Sequence, residues 1–229
     1  MIDYRAIYNT KADLYQRLVS REDAPRNLLP ALQAIRPLAG LDVVELGAGT
    51  GRLTRLVANL ARRVVAVDIA PAMLAEAMVQ VEGVPAHWIQ ADNRCLPLSG
   101  EQADLALAGW SLGHFVGWYG AAWSDEVGRA VTEMRRVLRP GGVLVILETL
   151  GTGRTRPQPP TAGLAAYYRY LEEEVGCEHT WIRTDYRFAS AAEAKLLLSF
   201  FFGARLAREA LSSGATTVPE CTGLWWRTI

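Results

Sequence analysis

The sequence of 229 residues is poor in cysteine, in lysine and in long apolar runs. Its three cysteines, Cys95, Cys177 and Cys221, are widely spaced and form no C-x-x-C pair, which excludes a disulfide framework and a zinc site of paired cysteines. No apolar run reaches about 18 residues, so we expect no membrane-spanning helix. The first eleven residues lack the apolar core of a signal peptide. We therefore expect a cytoplasmic protein without a metal site.

Charge of one sign is not in excess either, because 24 basic residues balance 24 acidic ones. A protein that binds nucleic acid usually carries a basic surface, so we expect no nucleic-acid partner. Half of the residues are hydrophobic, which is enough for one domain with a full core. The oligomeric state does not follow from these features.

Strands and helices alternate from residue 41 onward. Apolar runs predict strands at 41–46, 63–68, 103–109 and 143–149, and a further short strand lies near 86–90. Helical spacing of apolar residues predicts helices between them, at 51–60, 71–81 and 121–138. This order predicts a parallel sheet with helices on both faces. The flanking sequence predicts further helices at 3–36, 161–175 and 190–212, and strands at 180–187 and 216–228.

The residues after the first strand predict a turn that binds a ligand. The strand ends at Glu45-Leu46 and continues as Gly47-Ala48-Gly49-Thr50-Gly51, with glycine at every second position. Glycine adopts positive φ and has no Cβ, so a ligand can lie against the backbone there. A dinucleotide-binding turn needs a small residue at position 52, where this chain has Arg52. The spacing therefore argues against a nicotinamide dinucleotide.

The E-x-G-x-G-x-G pattern resembles the cofactor loop of class I S-adenosylmethionine-dependent methyltransferases with a type 11 domain. The segment 134–142, which leads into the strand at 143–149, resembles a second signature of that family, and the matches run in order over 41–150. The resemblance implies an α/β fold: a Rossmann-like, doubly wound, seven-stranded sheet, mostly parallel, with an antiparallel last strand at 219–228. It also implies one domain over 1–229, divided into a helical cap (1–38), a cofactor-binding core (39–150), a helical insertion or lid (151–188) and a C-terminal helix and strand (189–229).

The resemblance places S-adenosylmethionine at the carboxyl ends of the strands. Asp68 would accept the two ribose hydroxyls, although an Asp before Pro71 can also cap a helix. Asp92, followed by Asn93, would face the adenine, although this dipeptide also favours turns. The complete set of expected cofactor contacts is Glu45, Gly47, Ala48, Gly49, Gly51, Asp68, Ile69, Met73, Asp92, Asn93 and Trp110.

Several of these residues carry narrower expectations. Glu45 would hydrogen-bond the amides of the loop or, through water, the amino end of the cofactor. Trp110 ends the strand that runs beside the methionine part of the cofactor, close to the methyl group. Met73 is as well explained by the core as by a contact with adenine. Asp104, at the opposite end of that strand, is expected to be structural, and Cys95 is expected to be a small buried residue.

The acceptor side is less well defined. His114 follows the fourth strand on the cofactor side, where an imidazole can act as a general base, although it can equally be a packing residue. We expect Tyr8, Tyr15 and Tyr168 to join His114 in binding a small, apolar or aromatic acceptor. Transfer of a methyl group is an in-line displacement, and alignment alone supplies much of its acceleration. The sequence leaves open whether oxygen, nitrogen or carbon is methylated.

Other functions stay open at this point. A nicotinamide-dependent oxidoreductase is disfavoured by Arg52, and also because neither Lys11 nor Lys195 has a tyrosine four residues before it. A non-catalytic protein of the same fold, or an enzyme that methylates a protein, agrees with the same motifs.

Overall fold

The computed structural model describes residues 2–81, 83–211 and 214–229. Its strands are β1 (Asp42–Leu46), β2 (Arg63–Asp68), β3 (Ala86–Gln90), β4 (Ala103–Gly109), β5 (Leu138–Thr152), β6 (Glu178–Arg183), β7 (Tyr186–Arg187), β8 (Thr217–Val218) and β9 (Glu220–Thr228). Its helices are α1 (Tyr4–Thr10), α2 (Ala12–Val19), α3 (Leu28–Ile35), α4 (Arg52–Val57), α5 (Pro71–Gln80), α6 (His114–Tyr119), α7 (Trp123–Val137), α8 (Ala162–Glu173), α9 (Ala191–Phe202) and α10 (Ala204–Ala210).

Seven of the strands form one sheet in the order β3-β2-β1-β4-β5-β9-β6. The neighbours from β3 to β5 pair in parallel, whereas β9 is antiparallel to both β5 and β6. The predicted doubly wound sheet with its antiparallel last strand is therefore confirmed. The two short strands β7 and β8 pair separately, beside the main sheet.

Apolar side chains on both faces of the sheet explain why its central strands are continuous apolar runs. On one face, Val44 and Ala106 belong to a cluster that also contains Met134 of α7. On the other face, Val43 and Leu105 belong to a cluster closed by α3 and α4. Strands of parallel sheets are usually covered on both faces, and such strands are apolar at most positions.

The N-terminal and C-terminal helices are more broken than the sequence pattern predicts. The predicted helical stretch 3–36 consists of three helices, the first of which is capped by the Asp3 side chain at the Ala6 amide. The predicted helix 190–212 is interrupted at Gly203, where φ is +87°, and its last residue lies outside the described residues. Helix α6, which begins at His114, was not predicted.

Two further expectations differ from the structure. The predicted insertion at 151–188 begins with the end of β5 and contains β6, an edge strand of the main sheet, so the longest part of it outside that sheet is 153–177. A lid role for that part stays a prediction. Cys95 is exposed rather than buried, because it lies in the loop after β3.

The helices and the potential metal ligands of the described residues bear on membrane and metal binding. None of the helices described combines the length and the apolar character that a membrane crossing requires. Over the same residues, no group of three or more His, Cys, Asp or Glu side chains is arranged to hold a metal ion.

Candidate active site

The candidate site lies where the chain direction across the sheet reverses. From β1 the chain proceeds outward to β2 and β3, and β4 then returns to the other side of β1. Open α/β sheets bind ligands beyond the carboxyl ends of the strands at such a point. Here the loop 47–51 follows β1 and the segment 110–114 follows β4, so the predicted site residues of both segments meet at one edge.

The three glycines of the loop all have positive φ, between +56° and +82°, but they differ in the space around them. A Cβ on Gly47 would lie 2.3 Å from the Ser111 hydroxyl oxygen, and one on Gly51 would lie 2.5 Å from Val81. A Cβ on Gly49 would meet only a ring carbon of Tyr15, at 3.8 Å. Gly47 and Gly51 are therefore required by packing, and Gly49 presents bare backbone to a ligand.

Asp68 holds this loop in place. One carboxylate oxygen accepts a hydrogen bond of 2.8 Å from the Gly49 amide, and the other accepts one of 2.8 Å from Ala70. The helix cap considered in the sequence is not formed, since the residue that caps α5 is Ala70. Burial raises the pKa of Asp68 above its usual value, and its two backbone hydrogen bonds oppose that rise. Its binding of ribose stays a prediction.

One expectation was that Glu45 hydrogen-bonds the amides of the loop, and the structure shows a different partner. The carboxyl group of Glu45 is 2% exposed and accepts a hydrogen bond from the Thr54 hydroxyl. Burial raises its pKa to about 8. The side chain remains directly beneath the loop, and a contact through water with the amino end of the cofactor stays a prediction.

The residues predicted to surround the adenine are partly used by the protein itself. Ile69 is 59% exposed at the end of β2, which suits an apolar contact with a ligand. Met73 is buried among Ala12 and Ala70, so the core explains it fully. The Asp92 carboxylate forms an ion pair with Arg94, which lowers the pKa of Asp92, and Asn93 donates to Ser111 at 2.9 Å. The adenine contacts stay predictions.

Trp110 has an unusual backbone, with φ at +50° for a bulky side chain. Its amide donates to the Leu147 carbonyl at 2.7 Å, which fixes it at the end of β4. The guanidinium of Arg52 lies over its ring, 3.6 Å from the ring centroid. Strained residues of this kind concentrate at functional sites. Arg52, which served in the sequence only to argue against a dinucleotide, is therefore part of this site.

His114 stands in a cluster of rings beside the loop. Its Nε2 is joined to the Tyr8 hydroxyl by a hydrogen bond of 2.7 Å, and its ring lies 5.0 Å from Trp118. Removal from solvent lowers the pKa of His114 to about 4 and raises the pKa of Tyr8 well above its ordinary value. We call this group the aromatic cluster; its members are Tyr4, Tyr8, Tyr15, His114, Trp118 and Phe201.

The predicted acceptor residues therefore divide into two groups. Tyr8, Tyr15 and His114 are brought together, with the rings of Tyr8 and Tyr15 5.4 Å apart. Tyr168 is not among them, because its ring stacks on Trp225 at 4.7 Å and its hydroxyl donates to the Thr149 carbonyl. Its surroundings are those of a packing residue, and its substrate role stays a prediction without support from the geometry.

One acidic residue of the site was missed in the sequence. Glu148, near the carboxyl end of the central part of β5, is 4% exposed and accepts a hydrogen bond of 2.7 Å from the Gly113 amide, next to His114. The Tyr167 hydroxyl donates to the same oxygen at 3.4 Å. Burial raises the pKa of Glu148 to about 8. An acidic residue directly after the apolar run 143–147 was the available signal, the same one that identified Asp68.

Comparison with known proteins finds a family model that matches the region of this site. The family model described as "Methyltransferase domain" matches residues 44–146, which include the glycine loop, Asp68 and the segment around His114. A malonyl-[acyl-carrier protein] O-methyltransferase of Enterobacter lignolyticus is 36% identical over 122 residues, 53% of this chain and 42% of that protein. The chain thus spans less than half the length of that relative.

Two further proteins are similar over more of their length. A demethylmenaquinone methyltransferase of Thermus thermophilus is 29% identical over 71% of this chain and 69% of its own. The crystal structure of magnesium protoporphyrin IX methyltransferase from Synechocystis with bound S-adenosylmethionine covers 98% of both chains, with a TM-score of 0.55 and 16% identity, which supports the fold alone. Residues 44–146 thus match a methyltransferase domain, and the sheet of this chain has the fold of a structure that binds S-adenosylmethionine.

Proposed function

We propose that this chain transfers a methyl group from S-adenosylmethionine to a small, apolar or aromatic acceptor. One observation carries the proposal: the aromatic cluster adjoins the glycine loop at the carboxyl edge of the sheet. Tyr15 lies beside Gly49, and its ring contacts the ring of Tyr8. The Tyr8 hydroxyl is in turn hydrogen-bonded to His114. A cofactor lying on the loop and an acceptor lying among these rings would therefore be in contact.

The residues at the edge of the sheet suit the cofactor. Gly49 offers open backbone, Asp68 offers a carboxylate already anchored to that backbone, and Ile69 offers an exposed apolar face. When bound, S-adenosylmethionine supplies a methyl group on a positively charged sulfur, which a nucleophile can attack without further activation of the donor. The task of the protein is then to align the acceptor and to exclude water.

Tyr8 and His114 form a route for the proton of the acceptor. Removal from solvent keeps Tyr8 protonated and His114 neutral near pH 7. Because its lowered pKa makes the imidazole a weak base, His114, in the tautomer with an unprotonated Nε2, takes the proton of the Tyr8 hydroxyl only when the acceptor is itself acidic. The Tyr8 oxygen would at the same time take the proton of an acceptor hydroxyl. This relay makes an acceptor with an acidic O–H, such as a phenol or an enol, the best match to the site.

The aromatic walls favour a planar acceptor. The rings of Tyr4 and Trp118 lie beside His114 and can stack on a planar acceptor. One relative with a named acceptor acts on demethylmenaquinone. Another relative acts on malonyl groups carried by acyl-carrier protein. We place a ring-containing acceptor first, because six rings surround the site and the neighbouring cation Arg5 already lies over the Trp118 ring, 4.8 Å from its centroid.

Turnover of labelled S-adenosylmethionine tests the proposal. The panel consists of small phenols, quinols, amines and malonyl-acyl-carrier protein, each assayed with the wild type and with Gly49→Arg as the inactive reference. We expect methylation of at least one phenol or quinol and none by Gly49→Arg. Methylation of the acyl-carrier substrate alone would contradict the acceptor class, and no binding of S-adenosylhomocysteine would contradict the reaction.

A further inference from the structure

Arg52 occupies a fixed position between the cofactor loop and Trp110. It is the first residue of α4, directly after Gly51, and its side chain is 13% exposed. One guanidinium nitrogen, Nη1, forms an ion pair of 2.9 Å with Glu22, in the turn that follows α2. The face of the guanidinium lies over the Trp110 ring at 3.6 Å. Both contacts hold the group at the carboxyl edge of the sheet.

The second terminal nitrogen of Arg52 has no such partner. Nη2 is buried, and among the residues described in the structure it meets no hydrogen-bond acceptor. A guanidinium is always charged, and a buried donor that lacks an acceptor is destabilising. Such a group is expected to meet an acceptor once a ligand is in place, and an acceptor that carries negative charge gives the strongest bond.

The ligand that the site takes has one anionic group. S-adenosylmethionine carries positive charge at its sulfur and its amino group, and negative charge only at the carboxylate of its methionine part. That part is expected beside Trp110, on whose ring Arg52 lies. We propose that Arg52 binds the carboxylate of the methionine part through Nη2. This inference rests on the proposed function, since it assumes the same cofactor.

Glu22 prepares Arg52 for this role. Its other carboxylate oxygen accepts a hydrogen bond of 3.1 Å from the Thr184 hydroxyl, so the anion that holds Nη1 is itself held. The guanidinium therefore needs little reorganisation to bind a carboxylate, which increases affinity. Because Glu22 lies between α2 and α3, the position of Arg52 depends on how these N-terminal helices pack.

Calorimetric titration with two ligands tests the proposal. One is S-adenosylhomocysteine, and the other is its decarboxylated analogue, which lacks only the carboxylate. We expect the wild type to bind S-adenosylhomocysteine more tightly by about ten- to a hundredfold, as a charged hydrogen bond predicts. In Arg52→Gln this preference should fall to about twofold or less, and Arg52→Lys should retain part of it. Arg55→Gln is the matched control, an exposed arginine one turn further along α4, and should keep the full preference.

The ratio of the two affinities separates this role from a structural one. If Arg52 only supported the fold, Arg52→Gln would weaken both ligands equally and leave the ratio unchanged, which would overturn the proposal. Equal binding of both ligands by the wild type would also overturn it, and that comparison does not depend on whether Arg52→Gln folds. A wild type that bound neither ligand would contradict the proposed function itself.

Discussion

The two ends of the parallel sheet treat acidic residues in opposite ways. At the amino ends of the strands, Asp42 and Asp104 are paired with arginines. At the carboxyl ends, Glu45, Asp68 and Glu148 have no Lys or Arg partner among the described residues. Paired carboxylates stabilise a fold, whereas buried carboxyl groups without cations are kept where a site needs them. The distribution of partners identifies the functional end of this sheet.

The amino end shows what a completed network looks like. Arg139 bridges Asp104 at 2.7 Å and Asp42 at 2.8 Å, and Asp104 also accepts the Asp42 amide at 2.8 Å. Hydrogen bonds from Arg62 and Arg139 lower the pKa of Asp42 to about 2, against the effect of burial. The expected structural role of Asp104 is consistent with these contacts.

The carboxyl end keeps its polar groups available. Burial raises the pKa of Glu45, Glu148 and Glu220 to about 8. Glu220 begins β9, which runs antiparallel and so places this residue beside the carboxyl end of β5. One of its oxygens accepts from Thr149, and the other is buried without a hydrogen bond from any described residue. The described hydrogen-bond partners of these three residues are hydroxyl and amide groups and not arginines, in contrast to those of Asp42.

The largest effect is expected from a bulky side chain in the glycine loop. Gly49→Arg places a side chain where the ligand would lie, so we expect S-adenosylhomocysteine binding to fall by more than about a hundredfold. Gly40→Arg is the control at the other end of the sheet, since Gly40 also has positive φ, +76°, and open space around it. Calorimetry and circular dichroism should show two folded proteins, of which only Gly40→Arg binds. Equal binding by both would contradict the placement of the cofactor.

The next largest effect is expected in the proton relay. Tyr8→Phe removes the hydroxyl that bonds to His114, so kcat should fall by about a hundredfold with a phenol or quinol acceptor. Phe115→Leu is a control in α6, the helix of His114, because Phe115 is buried in the core and takes no part in the relay. Affinity for S-adenosylhomocysteine should change by about twofold or less in Tyr8→Phe. An unchanged kcat would show that alignment alone drives the reaction.

A change at the amino end should affect stability and not binding. Asp42→Asn removes the charge shared by Arg62 and Arg139, and we expect the free energy of unfolding to fall by about 2 kcal/mol near pH 7. Because the folded pKa of Asp42 lies below its unfolded value, its contribution is present above about pH 4 and is lost as the pH falls toward 2. Urea titration at pH 7 and pH 2.5 should show that wild type and variant converge in acid. Weakened S-adenosylhomocysteine binding in Asp42→Asn would erase the contrast between the two ends.

The smallest effect concerns the pH dependence of stability. The pKa of Glu148 is raised on folding, so its contribution is full below about pH 4.5 and is lost as the pH rises through about 8. We expect the Tm of the wild type to decrease from pH 6.5 to pH 9. The Tm of Glu148→Gln should decrease over the same range by about 5 °C less than that of the wild type. His114 is neutral in the folded protein throughout this range, and its protonation in the unfolded state near pH 6.5 affects the wild type and Glu148→Gln equally. Parallel curves for the two proteins would show that Glu148 does not titrate there.

The sheet was predictable because its central strands are buried on both faces. Continuous apolar runs placed β2 and β4 at their observed bounds, whereas β3, a partly exposed edge strand, was predicted only as a short strand near its position. Helix α6 was missed because it is short and its one glycine, Gly117, and its aromatic residues give no helical pattern. The breaks in the N-terminal helices follow from packing against α5 and α9, which a local pattern does not contain.

The site was predictable only where it depends on local chain order. The glycine loop, Asp68 and His114 follow strands directly, and the structure brings them to one edge. The pairing of Arg52 with Glu22 joins residues 30 positions apart, so it depends on how the N-terminal helices pack. The placement of Tyr168 on Trp225 is likewise a tertiary contact, between α8 and β9.

Hydrogen exchange with and without S-adenosylhomocysteine tests the central claim most directly, namely that the carboxyl end of the sheet is the functional end. The account predicts added protection of backbone amides at 47–51, 68–70 and 110–114, and in α1 and α2. It predicts no change at the amino ends around Asp42, Asp104 and Arg139. Protection at the amino ends, or no protection of the loop at saturating ligand, would contradict it.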